Sequence, residues 1–475
     1  MKTYTYEEAM ASRPDVLMST GRSDYPNQIN NVIGFPYIFR GALDVAATAI
    51  NEEMKLAAVY AIADLAKQPV PDVVNEVYHV NNFTFGRDYF IPKPVDPRLI
   101  TEVSTAVAKA AIKSGVARKN ITDWDAYQRK LRQMMGYESK LSRQLYDTAR
   151  SCPQRVVFAE GIHPNMLKAA VEAKNEGICY PILLGNKEKI STMAKELELS
   201  LDGIEVINLR EDTEAPRRER FAKILAEKRQ RNGMTFQEAN DKMFDRNYFG
   251  MMMVETGEAD AFLTGVYTRY RDTIQVAKDV IGIRDGYNHF GTMHILNSDQ
   301  GTFFLADTLI NRHPDVDTLV DTAKLAAHTV RFFNNEPVIA MLSYSNFGAD
   351  EVGTPATVHQ AVEIVHQQVP DLDIDGEMQV NFAIDDELRD KTFPFNRLKG
   401  KVVNTLIFPN LGSANTSYKM LAAMGKNVEL IGPIQMGLKK PIHFIDFESS
   451  VSDILNIVAV AVIDAIVEKK KVFTK

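Results

Sequence analysis

From Arg155 onward the chain alternates short apolar runs with helical stretches, and this alternation constrains the fold more than any other feature. RVVFAEG (155–161), YPILLG (180–185), IEVINL (204–209) and DAFLTG (260–265) have the length and composition of buried strands. TMHIL (292–296), TFFLAD (302–307), PVIAMLS (337–343), MQVNFAI (378–384), VVNTLIFP (402–409) and VELIG (428–432) continue the series. Helical stretches lie between them, among them the charged run 214–231. Such repetition predicts an α/β fold with mainly parallel sheets and helices on both faces. The runs are too many for one compact sheet, so two α/β lobes are expected.

The residues before Ser151 follow another pattern. Val16–Gly21 is an apolar run ending in Gly and suits a buried parallel strand. Ala42–Lys67 has long helical character, stopped by PVPDVV (69–74) because proline breaks helices. Pro92, Pro94 and Pro97 require an extended segment. A helix is expected from about Ile100 to Ser114. The charged helical stretch 123–150 reads as a connector, with a domain boundary near Met135–Glu138. The expected domains are therefore 1–135 and 136–475.

A chain of 475 residues suggests two to four domains, and 45% hydrophobic with 25% charged residues is a globular composition. The net charge of −7 leaves no basic footprint, which argues against a nucleic-acid partner. Cys152 and Cys179 are too few for a zinc site and indicate no disulfide framework, so a reducing cytoplasm is expected. The N-terminal stretch is acidic and lacks the apolar core of a secretory signal. The apolar stretch 454–467 is shorter than the roughly 20 residues of a spanning helix. Asp464 interrupts it, so it reads as a buried C-terminal helix rather than a membrane segment.

Residues 1–135 resemble the malic enzymes of bacteria, through GRSDYPNQINN, GFPYIFRGALD and FGRDYFIPKPVDPRL. These enzymes oxidise malate with a nicotinamide cofactor and a divalent metal, then decarboxylate the product. The resemblance places the stretch at the end of a Rossmann-type cofactor domain, so a partial cofactor domain is expected. It also implies that the paired Asn30 and Asn31 approach the substrate, since a carboxamide can donate to a carboxylate and accept from a hydroxyl. The alternative is that these asparagines satisfy loop backbone groups. Asn27 and Asn51 stay unassigned, and Arg22 and Arg40 read as surface or structural. The family's catalytic Tyr and Lys and its acidic metal ligands precede the matched stretch. No G-x-G spacing occurs in the sequence, and Asp24 and Asp44 do not form a metal cluster. This chain is thus expected to be the C-terminal part of a larger enzyme. NAD(P) and Mg or Mn are assigned to the full-length parent, and no metal site or complete catalytic set to this chain.

Residues from about 140 to 475 resemble the phosphotransacetylase family, which transfers acyl groups between coenzyme A and phosphate. The resemblance is carried by QRVVFAEG, FFLADTLINRHPD, EPVIAMLSYSNFG, IFPNLGSANTSYK and IGPIQMGLKKPI. It implies two lobes with a ligand cleft between them, the first about 140–285 plus 437–475 and the second about 286–436. In GSANTSYK, a Gly-Ser turn opening a helix would offer free N–H groups and a favourable dipole to a phosphate. An ordinary loop with a Ser cap fits the same letters. The expected acyl-CoA contacts are Ser413, Asn415 and Lys419, with the turn Gly432, Gln435 and Gly437 on the opposite wall and Arg269 and Arg271 adding charge.

The sequence also departs from this family. Active members carry a segment of the form PVNDLSRG after GPIxxGL, whose Ser and Arg serve acyl transfer. Here the register reads PIHFIDFE (441–448), with Asp446 where Ser is expected and Phe447 where Arg is expected. In VYTRYRDT (266–273), Arg269 and Arg271 replace small polar residues. The combined resemblance is to the large malic enzymes that carry a phosphotransacetylase-like unit. It implies a catalytically silent, acetyl-CoA-sensing domain that also drives homo-oligomer assembly. The alternatives are a working phosphate acyltransferase and a ligand-free assembly module.

Overall fold

The computed structural model describes residues 5–13, 15–78, 80, 83–134, 140–298, 300–425 and 428–473. The chain divides into two compact units, 1–140 with 194–200, and 141–193 with 201–475. The boundary expected at Met135–Glu138 lies outside the described residues.

The first unit is built from the helices Tyr6–Ser12, Phe35–Asp44, Glu52–Ala66, Asp72–Val77, Leu99–Lys113 and Trp124–Met134. Its core gathers Tyr37, Met54, Leu65, Leu99, Val103, Val107 and Leu131, all nearly or fully buried. Gly41 lets two of these helices touch, because a Cβ there would stand 2.5 Å from the Ser104 carbonyl oxygen. Two expectations fail here. Ala42–Lys67 is not one helix: Ala46 turns the chain at φ +48°, and Asn51 restarts it by accepting from Met54 N at 3.0 Å. Val16–Gly21 is not a buried strand, since Leu17 is 66% exposed and only Thr20 forms a bridge, to Gln28. A strand needs a neighbour to take its backbone hydrogen bonds, and among the described residues the run 16–21 forms only that bridge.

The described residues of the second unit carry eleven strands. They are β1 Gln154–Phe158, β2 Cys179–Leu184, β3 Glu205–Ile207, β4 Ala261–Thr264, β5 Gly291–Ser298, β6 Gly301–Ala306, β7 Val338–Leu342, β8 Asp373–Met378, β9 Thr405–Ile407, β10 Glu429–Met436 and β11 Ile442–Phe444. They form two sheets, ordered β11-β4-β1-β2-β3 and β10-β5-β6-β9-β7-β8. The first sheet is wholly parallel. In the second, β6, β9, β7 and β8 run parallel, while β10 and β5 add an antiparallel edge. β4 and β9 are buried throughout and β1, β2 and β7 nearly so, which explains their mostly apolar sequence.

The C-terminal helix Val451–Phe473 packs on β1, β4 and β10, and Ile454, Ile457, Val458 and Ala461 are fully buried. No helix of the described residues is long and apolar enough to cross a membrane. MQVNFAI is corrected: the strand is Asp373–Met378 and Val380–Ile384 is helical. DIDGEM hides its strand character behind three acids. Asp375 is nonetheless buried, its carboxylate accepting from Gly376 N and Arg397 N. β11 was also missed, as its three residues fall below the length at which periodicity speaks.

Candidate functional site

Each sheet presents a buried acid just beyond the end of a strand. Glu160 follows β1 and is fully buried. Its carboxylate accepts from Gly265 N at 2.9 Å, Val266 N at 3.0 Å and Tyr267 N at 3.0 Å, and the Arg246 guanidinium stands 3.6 Å away. These bonds fix the loop after β4. Gly265 completes that loop at φ +143°, where a Cβ would lie 2.1 Å from the Ile445 carbonyl oxygen. The loop runs into the helix Tyr270–Val280, whose N-cap is Arg269.

Asp307, directly after β6, does the same for the second sheet. It accepts from Thr292 N at 2.8 Å, Thr292 Oγ1 at 2.6 Å, Asn311 N at 2.7 Å and Asn311 Nδ2 at 2.7 Å. Thr292 Oγ1 lies 3.1 Å from Thr308 Oγ1, which reaches His294 Nδ1 at 2.8 Å. His294 stacks on Tyr418 with ring centroids 4.3 Å apart. Burial, with Lys419 nearby, pushes His294 down to about 3, so the ring is neutral at physiological pH. Burial also pushes the Tyr418 hydroxyl up to about 12, and the charge of Asp446 adds to the shift.

Tyr270 joins the two sheets. Its hydroxyl accepts from Gln435 Nε2, and its ring meets Phe444 edge-on with centroids 5.2 Å apart. Burial holds that hydroxyl well above its ordinary value, and Asp307 contributes. Gln435 Oε1 is buried with no hydrogen-bond partner among the described residues. A buried orphan acceptor is costly, and it marks a place where a ligand donor would be favoured.

The predicted contacts take these positions. Ser413 lies in the first turn of the helix Leu411–Met424, but the cap is Asn410. Asn410 Oδ1 accepts from Ser413 N at 2.9 Å, and the Asn311 carbonyl accepts from Leu411 N at 3.1 Å. The open Gly-Ser amide cradle is therefore corrected, because the protein's own oxygens take two of its donors. Asn415 Nδ2 is 3.4 Å from the Tyr418 hydroxyl, and Lys419 is exposed. Gly432, Gln435 and Gly437 do not form a turn on an opposite wall. Gly432 and Gln435 belong to β10, on the edge of the second sheet, and Gly437 follows it directly.

Arg269 and Arg271 are exposed, and neither forms an ion pair among the described residues. Asp446 Oδ1 accepts from Phe447 N at 2.8 Å, and Phe447 is 68% exposed. In the first unit, Asn30 caps the turn Asn31–Ile33 by accepting from Val32 N at 3.1 Å, while Asn31 is exposed. Arg22 pairs with Asp24 and Arg40 with Asp44. The unassigned Asn27 proves structural: it is 1% exposed, donates to the Arg87 carbonyl and accepts from Phe90 N.

Sequence reasoning singled out neither Glu160, Asp307, His294 and Tyr418 nor the coupling of Tyr270 to Gln435. An available signal was the acid ending RVVFAEG and TFFLAD, since ligands gather at the carboxyl ends of parallel strands.

The family model for phosphate acetyl/butaryl transferase matches residues 140–462. The chain belongs to this family. A phosphotransacetylase from Streptococcus pyogenes shares the fold at a TM-score of 0.62 and 30% identity, covering 70% of this chain and 100% of that one. The EutD phosphotransacetylase from Staphylococcus aureus gives 0.62 and 27%, covering 68% and 98%. The NADP-dependent malic enzyme of Escherichia coli is 41% identical over 457 residues, 95% of this chain and 60% of that protein. The chain thus spans about 60% of the length of the curated relatives it matches. It joins a malic enzyme-like region to a phosphotransacetylase-like domain.

Proposed function

We propose that the phosphotransacetylase-like domain binds acetyl-CoA without consuming it. It would serve as the sensing and assembly part of a protein that converts malate to pyruvate. The observation that carries this reading is the pairing of the orphan Gln435 acceptor with the altered loop at Asp446 and Phe447. The first favours a ligand donor between the sheets. The second supports a silent site, because the family resemblance sets Asp446 and Phe447 at the positions of the transferring Ser and Arg, and a carboxylate there would repel phosphate. The exposed Arg269, Arg271 and Lys419 supply charge for the ligand's phosphates.

Malate oxidation with NAD(P) and Mg²⁺ or Mn²⁺ is assigned to the longer protein. Among the described residues no group of three His, Cys, Asp or Glu is placed to hold a metal ion. Asn30 and Asn31 are proposed to face malate in that protein. The phosphotransacetylase-like domain would hold copies together in a homo-oligomer, at least a dimer, as closed symmetry favours.

Binding would change malate turnover only by favouring one arrangement of subunits. The expected effect is inhibitory, because acetyl-CoA reports abundant carbon downstream of pyruvate. Malate-dependent NAD(P) reduction by the full-length protein tests this. Acetyl-CoA should slow it, with Lys419→Glu blunting the effect, and a rate indifferent to acetyl-CoA would remove the sensing role.

A further inference from the structure

The second unit holds another concave site, which shares no lining residue with the acyl-CoA contacts proposed above. It is a cavity of about 640 Å³ at the carboxyl ends of β1, β2 and β3. The sheet order puts the reversal of strand order beside it, between β1 and β4. From β1 the chain steps to β2 and β3 on one side, then returns to β4 on the other. Loops diverge at such a reversal and leave a crevice where ligands bind. Glu160 closes the β1–β4 side by binding the loop after β4. The open space lies toward β2 and β3.

The cavity wall is apolar at Ile162, Leu184 and Leu209, and the Phe244 ring stands at its edge. Three cations from three separate segments line it: Lys189, Arg210 and Arg246. Glu211, next to Arg210 in sequence, pairs with Lys187 at 2.7 Å. Neither Lys189 nor Arg210 forms a side-chain ion pair or hydrogen bond among the described residues. Arg246 is held in place, 3.6 Å from Glu160 and over the Tyr267 ring. Asp245 is the acid in the lining, and its Oδ1 is occupied by Asn247 N and Tyr248 N.

A solvated charged surface would explain one or two such cations. It does not explain three of them converging from different loops on an apolar cavity. Lys189 and Arg210, unpaired among the described residues, stand with the Glu160-paired Arg246 and create a field for a polyanion. The apolar wall and aromatic edge add room for a ring, and the volume falls in the range of about 300–1,000 Å³ usual for small-molecule sites. We propose that this pocket binds a nucleoside diphosphate, independently of the acetyl-CoA site.

The test is calorimetric titration of ADP into the wild-type chain and into Lys189→Glu and Arg210→Glu, with pyrophosphate and adenosine as separate probes. A further titration is run in saturating acetyl-CoA. Both substituted residues are exposed, and thermal melts check the fold, with Arg210→Gln as the milder variant. One ADP should bind, each charge reversal should weaken it at least tenfold, and pyrophosphate should outbind adenosine. Acetyl-CoA should leave ADP affinity within twofold. Absent ADP binding, or affinity indifferent to the variants, would overturn the site. Displacement by acetyl-CoA would overturn its independence and assign the diphosphate group to coenzyme A, leaving the acyl-CoA reading intact.

Discussion

His294 and Tyr418 lie face to face, with centroids 4.3 Å apart and 17° between ring planes. One comes from β5 and the other from the helix Leu411–Met424, so the stack locks that helix onto the sheet. His294 Nδ1 is held by the Thr308 hydroxyl, and a Cβ on Gly432 would strike the imidazole. The ring is enclosed, and its protonation is opposed by burial and by Lys419.

This enclosure gives a pH dependence of defined sign. An unfolded histidine titrates near about 6.5, whereas His294 in the fold is pushed down to about 3. Between these values the unfolded chain binds a proton that the native chain refuses. Stability is full above the unfolded value, falls as pH drops from there toward the folded value, and then levels. His294→Phe should keep the stack and flatten the slope of urea stability between about pH 6.5 and 4.5. An unchanged slope would show that His294 is not the group responsible.

Glu160→Gln should destabilise the second unit by about 2–4 kcal/mol. The carboxylate receives three backbone donors, and an amide offers them one oxygen and an opposing N–H group. Urea unfolding measures the loss. The loop after β4 should also become more accessible to protease, since those bonds hold it. A variant as stable as wild type would mean that Gly265 and its neighbours hold the loop unaided.

Asp446→Ser combined with Phe447→Arg should raise phosphate affinity about tenfold, the scale of one added charge-assisted hydrogen bond. The change removes a carboxylate that already influences Tyr418 and adds a guanidinium at an exposed position. Titration with inorganic phosphate reads the outcome. Equal affinities would show that these positions do not face the phosphate.

Lys419→Glu should weaken acetyl-CoA binding while changing unfolding free energy by no more than about 0.5 kcal/mol, as expected for an exposed side chain. It should also ease protonation of His294, because Lys419 is one cause of that ring's depressed value. NMR titration of the imidazole checks the second effect, and equal acetyl-CoA affinity would remove Lys419 from the site.

The sequence revealed the α/β class because parallel strands buried on both faces leave continuous apolar runs. It failed where tertiary partners override local pattern. Val16–Gly21 has the letters of a strand but only a bridge at Thr20. Asp373–Met378 has acids yet sits in a sheet, since Arg397 N reaches the buried Asp375 carboxylate. The candidate site was legible as motifs and not as contacts. GSANTSYK suggested an open helix start, but the donors taken by Asn410 and the Asn311 carbonyl could not be read from those letters. Gln435 and Tyr270 are distant in sequence, so their bond required the fold.

In the reading proposed above, the phosphotransacetylase-like domain holds acetyl-CoA without transferring its acyl group. Calorimetric titration of acetyl-CoA into this chain in phosphate buffer tests it most directly. A saturable one-site isotherm is expected, with heat returning to baseline after each injection. Sustained heat from continuing acyl transfer to phosphate would contradict the silent site, and a flat titration would contradict binding.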